Sequence, residues 1–240
     1  MTRDEALKKI IFALDVDRYE EIEKWASLLS GHVGMFKVGK QLFTASGPAA
    51  VRTILDRGIE VFLDLKYHDI PNTVAMAAIE AARLGVTLFN LHALGGYEMM
   101  ARTREELDKA SQSRSTRVLA VTILTSSTEQ TLQEVGIERP LQEMVVRLAR
   151  LAQKAGIDGV VASPQEVGAI REECGTDFLI VTPGVRPVFA GVDDQKRIMT
   201  PGEAVKAGAD YLVIGRPISA ASDPLSACAA IVDEVAAVGA

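Results

Sequence analysis

Cysteine is scarce in this chain: only Cys174 and Cys228 occur in 240 residues. They lie far apart and outside any C-x-x-C spacing, which excludes a disulfide framework or a zinc site and leaves buried free thiols as the expectation. Long apolar runs are missing too, and none reaches the ~20 residues that a membrane-spanning helix needs. The N-terminus carries Arg3, Asp4, Glu5, Lys8 and Lys9, which is not the layout of a signal peptide. A cytoplasmic protein with no membrane partner is therefore expected. Positive charge is not in excess: the formal net charge of −6 argues against a nucleic-acid partner or an anionic bilayer. It leaves room for a phosphate ligand, because local donors bind phosphate whatever the global charge. No Walker loop, H-E-x-x-H, EF-hand or G-x-S-x-G pattern is present, and no metal site is expected.

What is present is a hydrophobic fraction of 48% arranged in a regular alternation. Apolar strand-like runs occur at Lys9 to Val16, Met35 to Gly39, Glu60 to Leu65, Leu88 to Ala93, Arg117 to Leu124, Gly159 to Ser163, Phe178 to Val185 and Tyr211 to Gly215. Helical spacing follows them. It covers Glu20 to Leu29, a stretch up to Arg57, Pro71 to Leu84, Gly96 to Ser111, Pro140 to Ala155, a helix begun by Pro164, Gly202 to Ala207 and Asp223 to Val238. Strands alternating with helices imply a parallel sheet, and eight units in this length predict a single-domain α/β protein, a closed (β/α)8 TIM barrel over residues 1–240. The rival is an open doubly wound sheet, which usually shows a glycine-rich fingerprint after its first strand. Here that strand ends in Leu14, Asp15, Val16 and Asp17, with no glycine.

The richest stretch is Glu60 to Thr73, E-V-F-L-D-L-K-Y-H-D-I-P-N-T. Strand side chains alternate faces, so Asp64 and Lys66 share one side while Leu63 and Leu65 share the other. Opposite charges at the end of a buried strand are costly unless they pair or do chemistry. Asp69 follows, and Pro71 suits a helical first turn. Polar residues also fall at the other strand ends: Asp15, Lys37, His92, Thr125, Ser163, Thr182 and Arg216. In barrels of this kind the chemistry sits at those C-terminal ends. Each has an ordinary alternative: Asp15 as a loop carboxylate, Lys37 as a surface lysine, Asp64 with Lys66 as a structural ion pair. His68 and His92 read as structural, and His32 as surface.

The last two strands end T-P-G-V-R and V-I-G-R-P. Glycines at 184 and 215 let backbone amides approach an anion, and Arg216 supplies a bidentate donor. Arg186 and Gln195 lie in a long loop placed to fold over that anion. Loops of such length, here after strands five (125–139) and seven (186–199), often act as lids.

Together these segments resemble the orotidine 5′-phosphate decarboxylase family over nearly the whole chain. The resemblance rests on A-L-D at Ala13–Asp15, F-K-V-G at Phe36–Gly39, D-L-K-Y-H-D-I-P-N-T at Asp64–Thr73, T-P-G-V-R at Thr182–Arg186, D-Q-K-R at Asp194–Arg197 and I-G-R-P-I at Ile214–Ile218. The D-x-K-x-x-D core is shared with barrels acting on sugar phosphates, such as 3-keto-gulonate 6-phosphate decarboxylase. The I-P-N-T that follows and the loop with Gln195 resemble the orotidylate branch. The resemblance implies cofactor-independent conversion of orotidine 5′-phosphate to UMP, with Lys66 as the acid that protonates C6 and Asp64 beside the departing carboxylate. Lys37 and Asp69 would complete an alternating Lys-Asp-Lys-Asp array. It further implies a homodimer whose Asp69, Ile70 and Thr73 reach into the partner's site. Asp15 and Lys37 would contact the ribose, Thr125 the pyrimidine, and Arg186, Gln195, Gly215 and Arg216 the phosphate. The competing readings are a Schiff-base aldolase, a magnesium-dependent sugar-phosphate decarboxylase, and a non-catalytic binder of phosphoribosyl ligands.

Overall fold

The computed structural model describes residues 1–110, 116–187 and 199–238. Its strands are β1 (Ile10–Leu14), β2 (Met35–Gly39), β3 (Glu60–Tyr67), β4 (Leu88–His92), β5 (Arg117–Val121), β6 (Gly159–Val161), β7 (Leu179–Pro183) and β8 (Tyr211–Ile214). Each pairs in parallel with the next and β8 pairs with β1, giving a closed barrel in sequence order. The expected (β/α)8 architecture is therefore found, and the open sheet is not.

Closure divides the apolar residues in two. One set fills the barrel: Ile11, Ala13, Met35, Phe62, Leu88, Leu119, Val121, Val161, Val181 and Val213. The other lies between the strands and the surrounding helices and includes Phe12, Phe36, Leu63 and Phe89. Because neighbouring strand residues face opposite ways, each strand contributes to both. The alternation also fixes what stands above the filling. Two residues beyond Ala13, Met35, Phe62, Leu88 and Val213 come Asp15, Lys37, Asp64, Asn90 and Gly215, which carries the interior face up to the C-terminal rim.

Three differences from the sequence reading have local causes. The stretch read as one helix up to Arg57 is two, Lys40–Ser46 and Pro48–Leu55. Gly47 between them has φ +57, and Pro48 lacks the N–H that a continuing helix would need. The loop after β5 has structure of its own: Thr128 caps a helix, Glu129–Glu134, whose Leu132 is buried in the core. The charged N-terminus forms a helix, Arg3–Lys8, closed by reciprocal Thr2 and Glu5 hydrogen bonds. It packs against the last helix, Pro224–Ala237, where Arg3 pairs with Asp233 at 2.8 Å.

Elsewhere the helices start and stop where their residues dictate. Pro71 opens helix Pro71–Arg83 and Gly85, with φ +86, follows its end. Thr200 and Glu203 form a capping box on helix Pro201–Lys206. No helix among the described residues is long and apolar enough to cross a membrane. The proposed lid over 186–199 falls mostly on residues 188–198, outside the described residues, and Gln195 lies there too.

Candidate active site

Four ionisable side chains meet at the rim of β1, β2 and β3. Lys37 Nζ lies 2.9 Å from Asp15 Oδ1 and 3.6 Å from Asp64 Oδ2. Lys66 Nζ lies 2.5 Å from Asp64 Oδ1. The order is Asp15, Lys37, Asp64, Lys66, with the charges alternating. Burial deepens toward the middle: side-chain exposure is 60% for Asp15, 10% for Lys37, 12% for Asp64 and 24% for Lys66. For a carboxylate largely withdrawn from water between two ammonium groups, their attraction offsets the desolvation cost that a lone charge would leave uncompensated. Burial alone would raise the Asp64 pKa. The Lys37 and Lys66 charges, with hydrogen bonds from Lys66 and Asn90, outweigh it and hold the carboxyl below its usual range.

The backbone places Lys66 unusually. It alone among the described non-glycine residues has positive φ, +54, and the pairing of β3 with β4 loses its register between Leu63 and Tyr67. Asn90 on β4 stands opposite this irregularity. Its Oδ1 accepts the Lys66 N–H at 2.7 Å, and its Nδ2 donates to Asp64 Oδ1 at 2.7 Å. Sequence reasoning gives Asn90 no role. An amide sitting two residues beyond the interior Leu88, between the apolar Phe89 and Leu91, was the available signal.

Asp69 does not join the array within its own chain. It is exposed, and its Oδ1 accepts the adjacent Ile70 N–H at 2.6 Å. Ile70, 67% exposed, and Thr73 also face outward. Gly215 is brought back to the rim of β1: a Cβ there would stand 3.3 Å from that of Ala13 and 3.8 Å from Asp15 Oδ2. Arg216 opens a short helix, Arg216–Ser219, and is exposed. The Arg186 N–H donates to the Met199 carbonyl at 3.0 Å, so the two ends of the seventh loop are tied together. Thr125 is half-buried in the turn after β5.

Two other polar strand ends hydrogen-bond to the backbone. The Thr182 hydroxyl donates to the Ala162 carbonyl at 2.8 Å, and Ser163 caps the short helix Pro164–Glu166. His92 is half-buried with its ring 5.6 Å from that of His68. Burial, reinforced by His68, Lys40 and Lys66, lowers its pKa to about 4, so it is neutral near pH 7. No group of three or more His, Cys, Asp or Glu suited to a metal ion occurs among the described residues.

The sequence was compared with known proteins. The sequence model of the family described as "Orotidine 5'-phosphate decarboxylase / HUMPS family" matches residues 8–231. A protein named orotidine 5'-phosphate decarboxylase from Geotalea daltonii is 74% identical over 238 residues, covering 99% of this chain and 100% of that one. One of the same name from Geobacter sulfurreducens is 70% identical over 238 residues, with 99% and 100% covered. Among solved structures, orotidine 5'-phosphate decarboxylase from Lactobacillus acidophilus superposes with a TM-score of 0.83 at 40% identity, covering 94% of this chain and 98% of that one. With its charges gathered at the C-terminal rim of an eight-stranded barrel and relatives this close over its whole length, the chain belongs to the orotidine 5'-phosphate decarboxylase family.

Proposed function

We propose that the chain decarboxylates orotidine 5′-phosphate to UMP, with Lys66 delivering the proton to C6. The observation that carries this is the alternation of Lys37, Asp64 and Lys66, buried or half-buried at the rim of the barrel. Loss of carbon dioxide from C6 leaves an electron pair in the plane of the ring, where the π system delocalises it poorly. An ammonium fixed beside that carbon stabilises the negative charge as it develops and then donates its proton. At an effective dielectric of about 20, unit charges ~4 Å apart interact by roughly 4 kcal/mol. Because the lysine is held in place before reaction, little of that is lost to reorganisation. No step calls for a metal or an organic cofactor.

The remaining groups have places in the same reading. Asp64 lies beside the departing carboxylate, Asp15 and Lys37 hold the ribose hydroxyls, and Thr125 meets the pyrimidine. Arg186, Gln195, Gly215 and Arg216 hold the phosphate. The phosphate is remote from C6, so its binding energy goes into ordering the site rather than into the bond that breaks. Residues 186–199 act as the lid that closes over it.

We assign the functional unit as a homodimer in which Asp69, Ile70 and Thr73 of one chain complete the other's site. Their exposure and the absence of a link from Asp69 to its own array support this. So do the exposed apolar side chains Ile70, Met76, Leu94 and Tyr97, on the segments after β3 and β4. The protein acts in the cytoplasm, as a pyrimidine-nucleotide enzyme. The Schiff-base alternative needs a lysine amine free to attack a carbonyl, whereas Lys66 Nζ is engaged by Asp64 Oδ1 at 2.5 Å. The test is the loss of orotidylate absorbance with EDTA present, with Lys66→Ala measured beside the parent.

A further inference from the structure

β3 does not run evenly past β4. Leu63 pairs with Phe89 and Tyr67 with Leu91, so three residues of β3 stand opposite the single residue Asn90. A bulge of this kind re-aims side chains, and bulges recur beside active sites. Here it turns Lys66 into the left-handed region, where the Cβ of any L side chain crowds the backbone and which is held only when the surroundings impose it. It also removes the backbone partner that the Lys66 N–H would have had on a regular ladder.

Asn90 answers both needs. It is fully buried, and its amide is used on both sides: Oδ1 accepts from the Lys66 backbone and Nδ2 donates to the Asp64 carboxylate. The donor and acceptor ends are fixed by their partners, since an N–H requires oxygen and a carboxylate requires N–H. Asp64 Oδ1 receives Asn90 Nδ2 at 2.7 Å and Lys66 Nζ at 2.5 Å. The backbone of Lys66, its ammonium and the carboxylate between them form one closed circuit through Asn90.

We propose that Asn90 is a positioning residue for the decarboxylation: it holds the bulged Lys66 backbone and the Asp64 carboxylate in fixed relation, so the ammonium meets C6. This rests on the reading of Lys66 as the proton donor. Asn90 touches no substrate atom and takes up no proton. Its effect is on the distance between Lys66 and the reacting carbon, and a misplacement of about 1 Å at such a site can cost on the order of a hundredfold in rate.

Two variants separate positioning from mere support. Asn90→Leu keeps the branched shape of the side chain, with two methyl groups in place of the amide oxygen and nitrogen, and removes both hydrogen bonds. Asn90→Asp keeps an acceptor for the Lys66 N–H and sets a second carboxyl against Asp64. The groups facing Asp64 are Lys37 from β2, Lys66 from β3, and more distantly Asp15, at the end of β1, and His92. Adding a carboxyl among them favours retention of a proton by the pair. For Asn90→Leu the expected result is a fall in kcat of at least about tenfold, with KM and the dissociation constant for UMP within about threefold of the parent. For Asn90→Asp the acid limb of the kcat/KM profile moves to higher pH by about one unit or more. If both variants turn over at the parental kcat with an unmoved acid limb, the proposal is overturned. Failure of both to fold overturns it as well, since Asn90 would then be a scaffold residue. Lys66→Ala run in parallel distinguishes the two layers. Parental turnover by that variant removes the proton-donor reading itself, whereas its inactivity beside fully active Asn90 variants removes only the positioning role.

Discussion

Asp64 is held charged against the cost of its own burial. It is buried enough to resist ionisation, yet two ammonium groups and an amide keep it charged. A residue in that condition contributes stability only while its partners remain in place, and this contribution is lost as pH falls through its lowered pKa. His92, close by, works in the opposite sense. Its pKa is about 4 in the fold against 6.5 for the free side chain, so the unfolded chain takes up the proton first as pH drops. Stability is then lost progressively between about pH 6.5 and pH 4, above the range in which Asp64 titrates. His92→Gln is expected to flatten the pH dependence of the denaturation midpoint in that window and leave it unchanged above pH 7. A parental slope in the variant would place the acid sensitivity elsewhere. Residue identities of this sort were legible early: Asp64, Lys66 and Lys37 were singled out because charged groups at buried strand ends need a reason. Asn90 was not, because an amide between apolar neighbours shows its partners only once the bulge opposite it is seen. His92, read as a structural histidine, is half-buried against the His68 ring.

At the scale of the element, the strand period does most of the positioning. A single alternation places Met35 in the barrel filling, Lys37 at the rim and Gly39 above it. Gly39 is needed there: a Cβ would stand 2.9 Å from Lys37 Nζ and 3.4 Å from Asp15 Oδ1. Gly39→Ala should therefore fold, because the intruded atom is the end of a flexible side chain, but it should displace Lys37 from Asp15. The expected result is a rise in KM of about tenfold, the size of one lost charge-assisted hydrogen bond of roughly 1.5 kcal/mol. An unchanged KM would argue against a ribose-binding role for this pair. Periodicity gave the eight strands and most helices to within a few residues, since both faces of each strand are buried in sets the sequence displays. It gave too long a helix before Arg57, where a glycine and a proline side by side outweigh apolar spacing. It also missed the helices Arg3–Lys8 and Glu129–Glu134, each a turn and a half long, which depend on a capping threonine more than on a stripe. The end of β3 was read as stopping at Leu65, because a strand that continues through a left-handed lysine has no periodic signature.

For the whole molecule, the barrel was predictable from the count and order of its units, whereas assembly came from family resemblance. Nothing in one chain's alternation bears on the proposal that Asp69 completes another chain's site. Subunits carrying Lys66→Ala and Asp69→Ala can be combined to test this. Each homodimer should be inactive, and the mixed dimer should regain one site in two, built from the intact Lys66 of one chain and the intact Asp69 of the other. No recovery on mixing would mean that each site is made within a single chain. The account as a whole depends on a lysine ammonium, fixed by a neighbouring carboxylate, meeting charge that develops on a pyrimidine carbon. The most direct measurement follows the loss of orotidylate absorbance in EDTA for the parent and for Lys66→Ala, with UMP binding measured on both. The parent should turn over under these conditions, and the variant should lose turnover while binding UMP with an affinity close to the parent's. Equal rates in the two proteins would contradict the assignment, and so would a parent that binds UMP but never consumes orotidylate.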